Sequence, residues 1–130
     1  MKFVSFLLKG QPKFGVSDGK NITDLTGKIK GAQTLKELII NNSINEAKEF
    51  SKKNPGKINV DEIDYLPVIP NPGKIVCVGL NYSEHVKETG RTVEQNPVIF
   101  LRVPESQTAH KQPIQRPKVS ELSLIHISEP

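Results

Sequence analysis

The chain has 130 residues, with 18 Lys and Arg against 14 Asp and Glu, a net charge of +4 and a pI near 9.2. That length holds one ordinary domain, or a small domain joined to part of a second. The basic balance does not mark a nucleic-acid binder, because the basic residues are scattered, their longest run is Lys52-Lys53, and a nucleic-acid surface needs a dense basic stripe. No apolar run approaches the roughly 20 residues of a membrane span, and the apolar stretch at 3–8 is shorter than a secretory core of about 7 to 15 residues. The single cysteine, Cys77, rules out an internal disulfide. A cytoplasmic protein with no membrane partner is expected.

In chain order, residues 2–8 read as a strand, followed by a turn at Gly10-Gln11-Pro12. Phe14-Gly15-Val16, a hairpin signal at Asp18-Gly19, and 22–25 complete a small antiparallel sheet. Thr34 with Glu37, and Ser43 with Glu46, have the spacing of capping boxes, in which a hydroxyl and a carboxylate satisfy free amides at a helix start. Two short helices are predicted. Leu35, Leu38 and Ile39 form the apolar face of the first, Ile44, Ala47 and Phe50 that of the second, and Asn54-Pro55-Gly56 ends it.

Pro67, Pro70 and Pro72 fix an extended path without ladder donors, and a domain boundary is placed there. Beyond it, 75–78 reads as a strand buried on both faces with Cys77 inside it, 83–88 as one or two helical turns, and 97–103 as a returning strand. Residues 112–114 are read as the start of a third. The fold class is α+β.

The residues that carry chemistry cluster after this boundary. His85 and Glu88 are three apart, so on a helical turn their side chains share a face within hydrogen-bonding reach. The carboxylate then orients the imidazole and raises its basicity, making a base that works near neutral pH. From spacing alone the pair reads sooner as an exposed turn with an incidental charge pair, since such pairs are common. Asn81 and Tyr82 stand where strand gives way to helix, a place where sites are assembled. They are read either as substrate-orienting groups or as a turn Asn and a packed Tyr. Arg102, on the returning strand, has the planar fork that pairs with a carboxylate, or is a surface Arg. His110 sits in a polar loop, solvated or near the site. No cationic group next to Cys77 in sequence marks it as a nucleophile.

The run Pro70-Asn71-Pro72-Gly73-Lys74-Ile75, then Gly79-Leu80-Asn81-Tyr82-Ser83-Glu84-His85-Val86-Lys87-Glu88, then Pro97-Val98-Ile99-Phe100-Leu101-Arg102, resembles the start of the catalytic domain of the fumarylacetoacetate hydrolase family. His110-Lys111-Gln112-Pro113-Ile114 and Arg116-Pro117 extend the likeness, and residues 2–6 with Phe14-Gly15-Val16 resemble the small leading domain of bacterial members. The resemblance implies a small N-terminal domain at 1–66 and an incomplete, mixed β-rich catalytic domain at 67–121. It implies a metal-dependent hydrolase, lyase or isomerase of dicarbonyl or hydroxy-dicarboxylic acids, acting through an enolate with Mg2+ or Mn2+, and a homodimer for the whole protein. His85 and Glu88 are then the general-base dyad, with Asn81, Tyr82 and Arg102 on the substrate.

Family members continue after Val119-Ser120-Glu121 into an acidic strand that holds the metal. This chain departs from that pattern at Leu122. Residues 122–130 are read as a non-native tail, similar to the peptide translated from sequencing-adapter DNA. The metal ligands are then absent from the chain, and the fragment is expected to be inactive. The alternative is a non-catalytic N-terminal oligomerisation or scaffold module.

Overall fold

The computed structural model describes residues 1–79, 98–115 and 118–119. Strands β1 (Lys2–Leu8) and β2 (Gln11–Ser17) pair antiparallel from Lys2↔Ser17 to Leu8↔Gln11. The turn is Lys9-Gly10, with φ of 52° and 77°. Both values are left-handed, as a two-residue turn matching the twist of its strands requires. The turn thus lies one step earlier than the sequence suggested, and Pro12 falls inside β2. It is tolerated there because, among the described residues, its position lacks a second neighbour: β3 (Asn21–Asp24) reaches only 15–17 of β2, so the missing N–H leaves no ladder bond unmade. The Asp18 carboxylate closes the next turn by accepting from the Asn21 and Lys20 amides at 2.7 and 2.8 Å. Those bonds hold its pKa below the usual carboxylate value.

Two short strands not read from the sequence, β4 (Ile58–Asn59) and β5 (Asp64–Tyr65), complete an antiparallel sheet in the order β4-β3-β2-β1-β5. A 3-10 turn, Val60–Glu62, joins them. Cross-strand partners share a face. Phe3, Phe14 and Val16 therefore face α1 (Leu35–Ile40) and α2 (Ile44–Lys53), in a core with Leu25, Leu38 and Ala47. Val4, Phe6 and Ile22 face the other way and are covered by Ile58, Val60, Ile63 and Tyr65. Both faces of the sheet are covered.

Thr34 caps α1 through the expected capping box. The second box does not form. Asn42, at φ 55°, ends α1 in a left-handed conformation, with Asn42 N–H bonded to Ile39 O and Ser43 N–H to Leu38 O. This is a Schellman closure. It commits the Ser43 backbone to the end of α1, and the Ser43 side chain makes no cap bond to α2. Ile39, placed above on the buried face of α1, is exposed, whereas Leu35 and Leu38 are buried.

After the proline-rich stretch, β6 (Ile75–Gly79) pairs, among the described residues, only with β7 (Val98–Arg102). The strands are where the sequence put them, but β6 is not buried on both faces. Val76, Val78, Ile99 and Leu101 share one face by register and all are exposed. Cys77 is half-buried. Residues 112–114 form no strand. No helix among the described residues is long and apolar enough to cross a membrane.

Two tests follow from this packing. A Cβ on Gly56 would stand 2.6–2.9 Å from the backbone of Ile22, so Gly56→Ala is expected to overpack the β3 contact by about 1–3 kcal/mol and lower the melting temperature by roughly 5 °C or more, read by circular dichroism. Burial raises the Asp24 carboxyl, but bonds from Lys13 Nζ at 2.6 Å and the Thr26 amide outweigh it and hold its pKa below the usual value. A lowered carboxylate pKa contributes stability that is complete above the unfolded value of about 3.9 and lost as pH falls through the folded one. Asp24→Asn should therefore flatten the melting temperature against pH between about 5 and 3, where the native chain loses stability.

Candidate functional site

The β6–β7 hairpin frames the segment that holds the sequence-predicted residues. Gly79 and Val98 are cross-strand partners, so residues 80–97 leave and re-enter the described structure at one end of the hairpin. Asn81, Tyr82, His85 and Glu88 all fall in this segment and lie outside the described residues. A Cβ on Gly79 would stand 3.4 Å from the Phe100 ring, an ordinary contact, so space alone does not demand a glycine there.

Arg102 is described, and it sits at the other end of β7, opposite Ile75. Four residue steps separate it from Val98, about 13 Å along the strand. Its guanidinium is already engaged. Nε donates to Ser106 Oγ at 3.1 Å and Nη2 to Ser106 O at 2.6 Å. Ser106 Oγ donates in turn to Val103 O at 2.6 Å, at the 3-10 turn Pro104–Ser106. The edge of the fork that runs from Nε to Nη2 is therefore taken by the chain itself. What remains for a carboxylate is the outer edge, where Nη1 and Nη2 each keep a free proton. Sequence reasoning missed Ser106, since a serine four residues after an arginine is an ordinary loop feature.

His110 stays exposed in its loop, one of the two readings the sequence allowed. Its ring meets Tyr65 of β5 edge-on, with centroids 5.0 Å apart and planes at 87°, a favoured aromatic geometry. Gln112 Nε2 donates to Tyr65 O at 3.2 Å, and Ala109, just before His110, is buried.

A half-open groove of about 450 Å³ lies between β1, β2, the start of α1 and the proline-rich stretch, walled by Ser5, Phe14, Leu35, Leu66 and Pro70. Its walls are mostly apolar, and the cation on its rim, Lys13, is bound to Asp24. None of the sequence-predicted site residues lines it. Among the described residues, no group of three or more His, Cys, Asp or Glu side chains is placed to hold a metal ion.

Residues 74–127 match the family model described as fumarylacetoacetate (FAA) hydrolase C-terminal. The matched segment begins at the hairpin and runs into the 122–130 stretch. An oxaloacetate tautomerase of Xenopus laevis, mitochondrial by its name, is 30% identical over 115 residues, 85% of this chain and 36% of that protein. An uncharacterized protein of Methanocaldococcus jannaschii is 34% identical over 82 residues, 63% of this chain and 30% of that protein. An oxaloacetate tautomerase of Escherichia coli is 38% identical over 53 residues, 41% of this chain and 23% of that protein. The chain thus spans about a third or less of the length of these relatives.

Proposed function

The chain belongs to the fumarylacetoacetate hydrolase family, and on that footing we propose that it carries the proton-transfer half of a site for enolisable dicarbonyl acids such as oxaloacetate. The observation that carries this reading is the motif from Gly79 to Glu88 inside the matched segment. The names of two of the relatives, both oxaloacetate tautomerases, support the choice of substrate class.

In this reading Glu88 accepts a hydrogen bond from one ring nitrogen of His85 and fixes its tautomer. The other nitrogen is left as the base. That nitrogen takes a proton from the carbon between the two carbonyls, and the electron pair of the C–H bond becomes the enolate. Returning the proton to oxygen gives the enol, and returning it to carbon restores the ketone. Base catalysis of this kind contributes about 10²–10⁴-fold. Arg102 pairs its outer edge with a substrate carboxylate, and Asn81 and Tyr82 orient the carbonyls. For Arg102 to share a site with His85, the 80–97 segment has to reach back along the hairpin over about 13 Å. The family's divalent ion, Mg2+ or Mn2+, supplies enolate stabilisation when bound. The described residues offer it no fitting ligand set, and the transfer assigned to His85 and Glu88 does not run through it.

Because Mg2+ needs several hard oxygen ligands, the 130-residue polypeptide is expected to give no Mg2+-dependent turnover of oxaloacetate or an acylpyruvate. Turnover above the uncatalysed rate in a spectrophotometric assay would overturn that. The dyad is tested in a chimera in which residues 74–121 replace the matching segment of the E. coli tautomerase. His85→Ala in an active chimera should cut the enol–keto rate by about 10²-fold or more while Mg2+ binding, measured by calorimetry, is kept. An undiminished rate excludes His85 as the base.

A further inference from the structure

The chain after β7 does not run free of the N-terminal sheet but returns to it. Gln107 Nε2 donates to Ile69 O at 3.4 Å and to Pro104 O at 3.3 Å. Both partners are carbonyls, which fixes the amide's orientation. His110 then packs on Tyr65, Gln112 bonds Tyr65 O, and Ala109, just before His110, is buried. A tight turn shapes this segment: Gln112 N–H bonds Ala109 O, and Lys111 sits at φ 64°.

The strip that receives it is itself pinned. Ser5 Oγ donates to Val68 O at 2.7 Å, Leu66 N–H bonds Ser5 O, and Lys36 Nζ donates to Asn71 O at 2.9 Å. Connected bonds therefore lead from buried Ser5 to Val68, from the adjacent Ile69 to Gln107, and from its neighbour Ser106 to Arg102. We propose that residues 107–112 are a clasp, and that through it the N-terminal sheet fixes the strand end carrying Arg102, with Gln107 as the positioning residue next to Ser106. The clasp closes the excursion that leaves the sheet at Leu66, so the two ends of that excursion are held together on the β5 edge. A hairpin of two strands is marginal by itself, and an exposed arginine on such a hairpin samples many rotamers unless its backbone is anchored elsewhere. The clasp provides that anchor whether or not Arg102 meets a substrate.

The test is nitrogen-15 NMR on the whole chain. The Arg102 Nε–H signal is identified by its loss in Arg102→Lys, and its exchange with solvent is compared in native chain and in Gln107→Ala/His110→Ala/Gln112→Ala. Exchange is expected to quicken about tenfold or more, while the amides of Val4, Phe6, Phe14 and Val16 keep their protection. Ser106→Ala should quicken the same exchange with the His110 ring-current shift on Tyr65 intact, separating the local bond from the clasp. Unchanged Arg102 exchange in the triple variant overturns the proposal, because the hairpin then holds Arg102 unaided. Loss of protection across the sheet also overturns it, because the segment is then part of the N-terminal core.

Discussion

A hydroxyl buried in β1 sets the course of everything downstream. Ser5 is 3% exposed and lies opposite Phe14 on the helix-facing side of the sheet. A polar group there costs about 1–3 kcal/mol if it is left without a partner. Its partner is Val68 O at 2.7 Å, a carbonyl of the proline-rich stretch, which has few ladder donors of its own. Satisfying Ser5 thus lays residues 66–71 across the sheet, where they form one wall of the apolar groove. From there the chain enters the hairpin, and Ile69, the next residue, is where Gln107 returns.

The parts of the fold legible in the sequence are those whose determinants are local. A short apolar stretch marked β1, and the Thr34 and Glu37 pair marked the start of α1, because both signals are complete within a few residues. Ser43 and Glu46 carry the same signature and fail, since the αL residue Asn42 spends the Ser43 amide on closing α1. A capping pattern cannot record what the preceding helix end demands. β4 and β5 were missed because each is two residues long and exists through pairing with β3 and β1. The burial of β6 was overcalled for a related reason. The run Ile75-Val76-Cys77-Val78 carries a buried strand's composition, but burial needs covering elements, and among the described residues its paired neighbour is β7 alone.

The candidate site divides along the same line. His85, Glu88, Asn81 and Tyr82 were found through a short, dense motif, and spacing alone does not separate a dyad from a surface turn. Arg102 was found as a residue type, but its engagement was not foreseen. Ser106 takes one edge of its fork, and this follows from the 3-10 turn after β7. His110, read as a solvated or site-adjacent group, is exposed and also packs edge-on against Tyr65 across 45 positions of sequence. Such long-range pairing has no local signature.

The two halves of the chain differ in how their apolar surface is disposed, and the clasp matters because of that difference. The N-terminal sheet has a core: Phe6, Phe14, Ile22, Leu25 and Leu38 are fully buried, and both faces are covered mostly from within residues 1–66, with Ile69 added on the helix side. The hairpin keeps Val76, Val78, Ile99 and Leu101 exposed on one face, each forgoing about 1.5–3 kcal/mol relative to full burial. Within the described residues its order therefore cannot come from a core of its own. It comes from ten paired residues and from attachments at the Ile75 and Arg102 end, where the proline-rich stretch enters and the Ser106-Gln107 link leaves. That end is the one tied to Ser5. The opposite end, Gly79 and Val98, from which the His85 segment issues, has no such tie among the described residues. Among the described residues, then, the attachments of the hairpin gather at its Arg102 end.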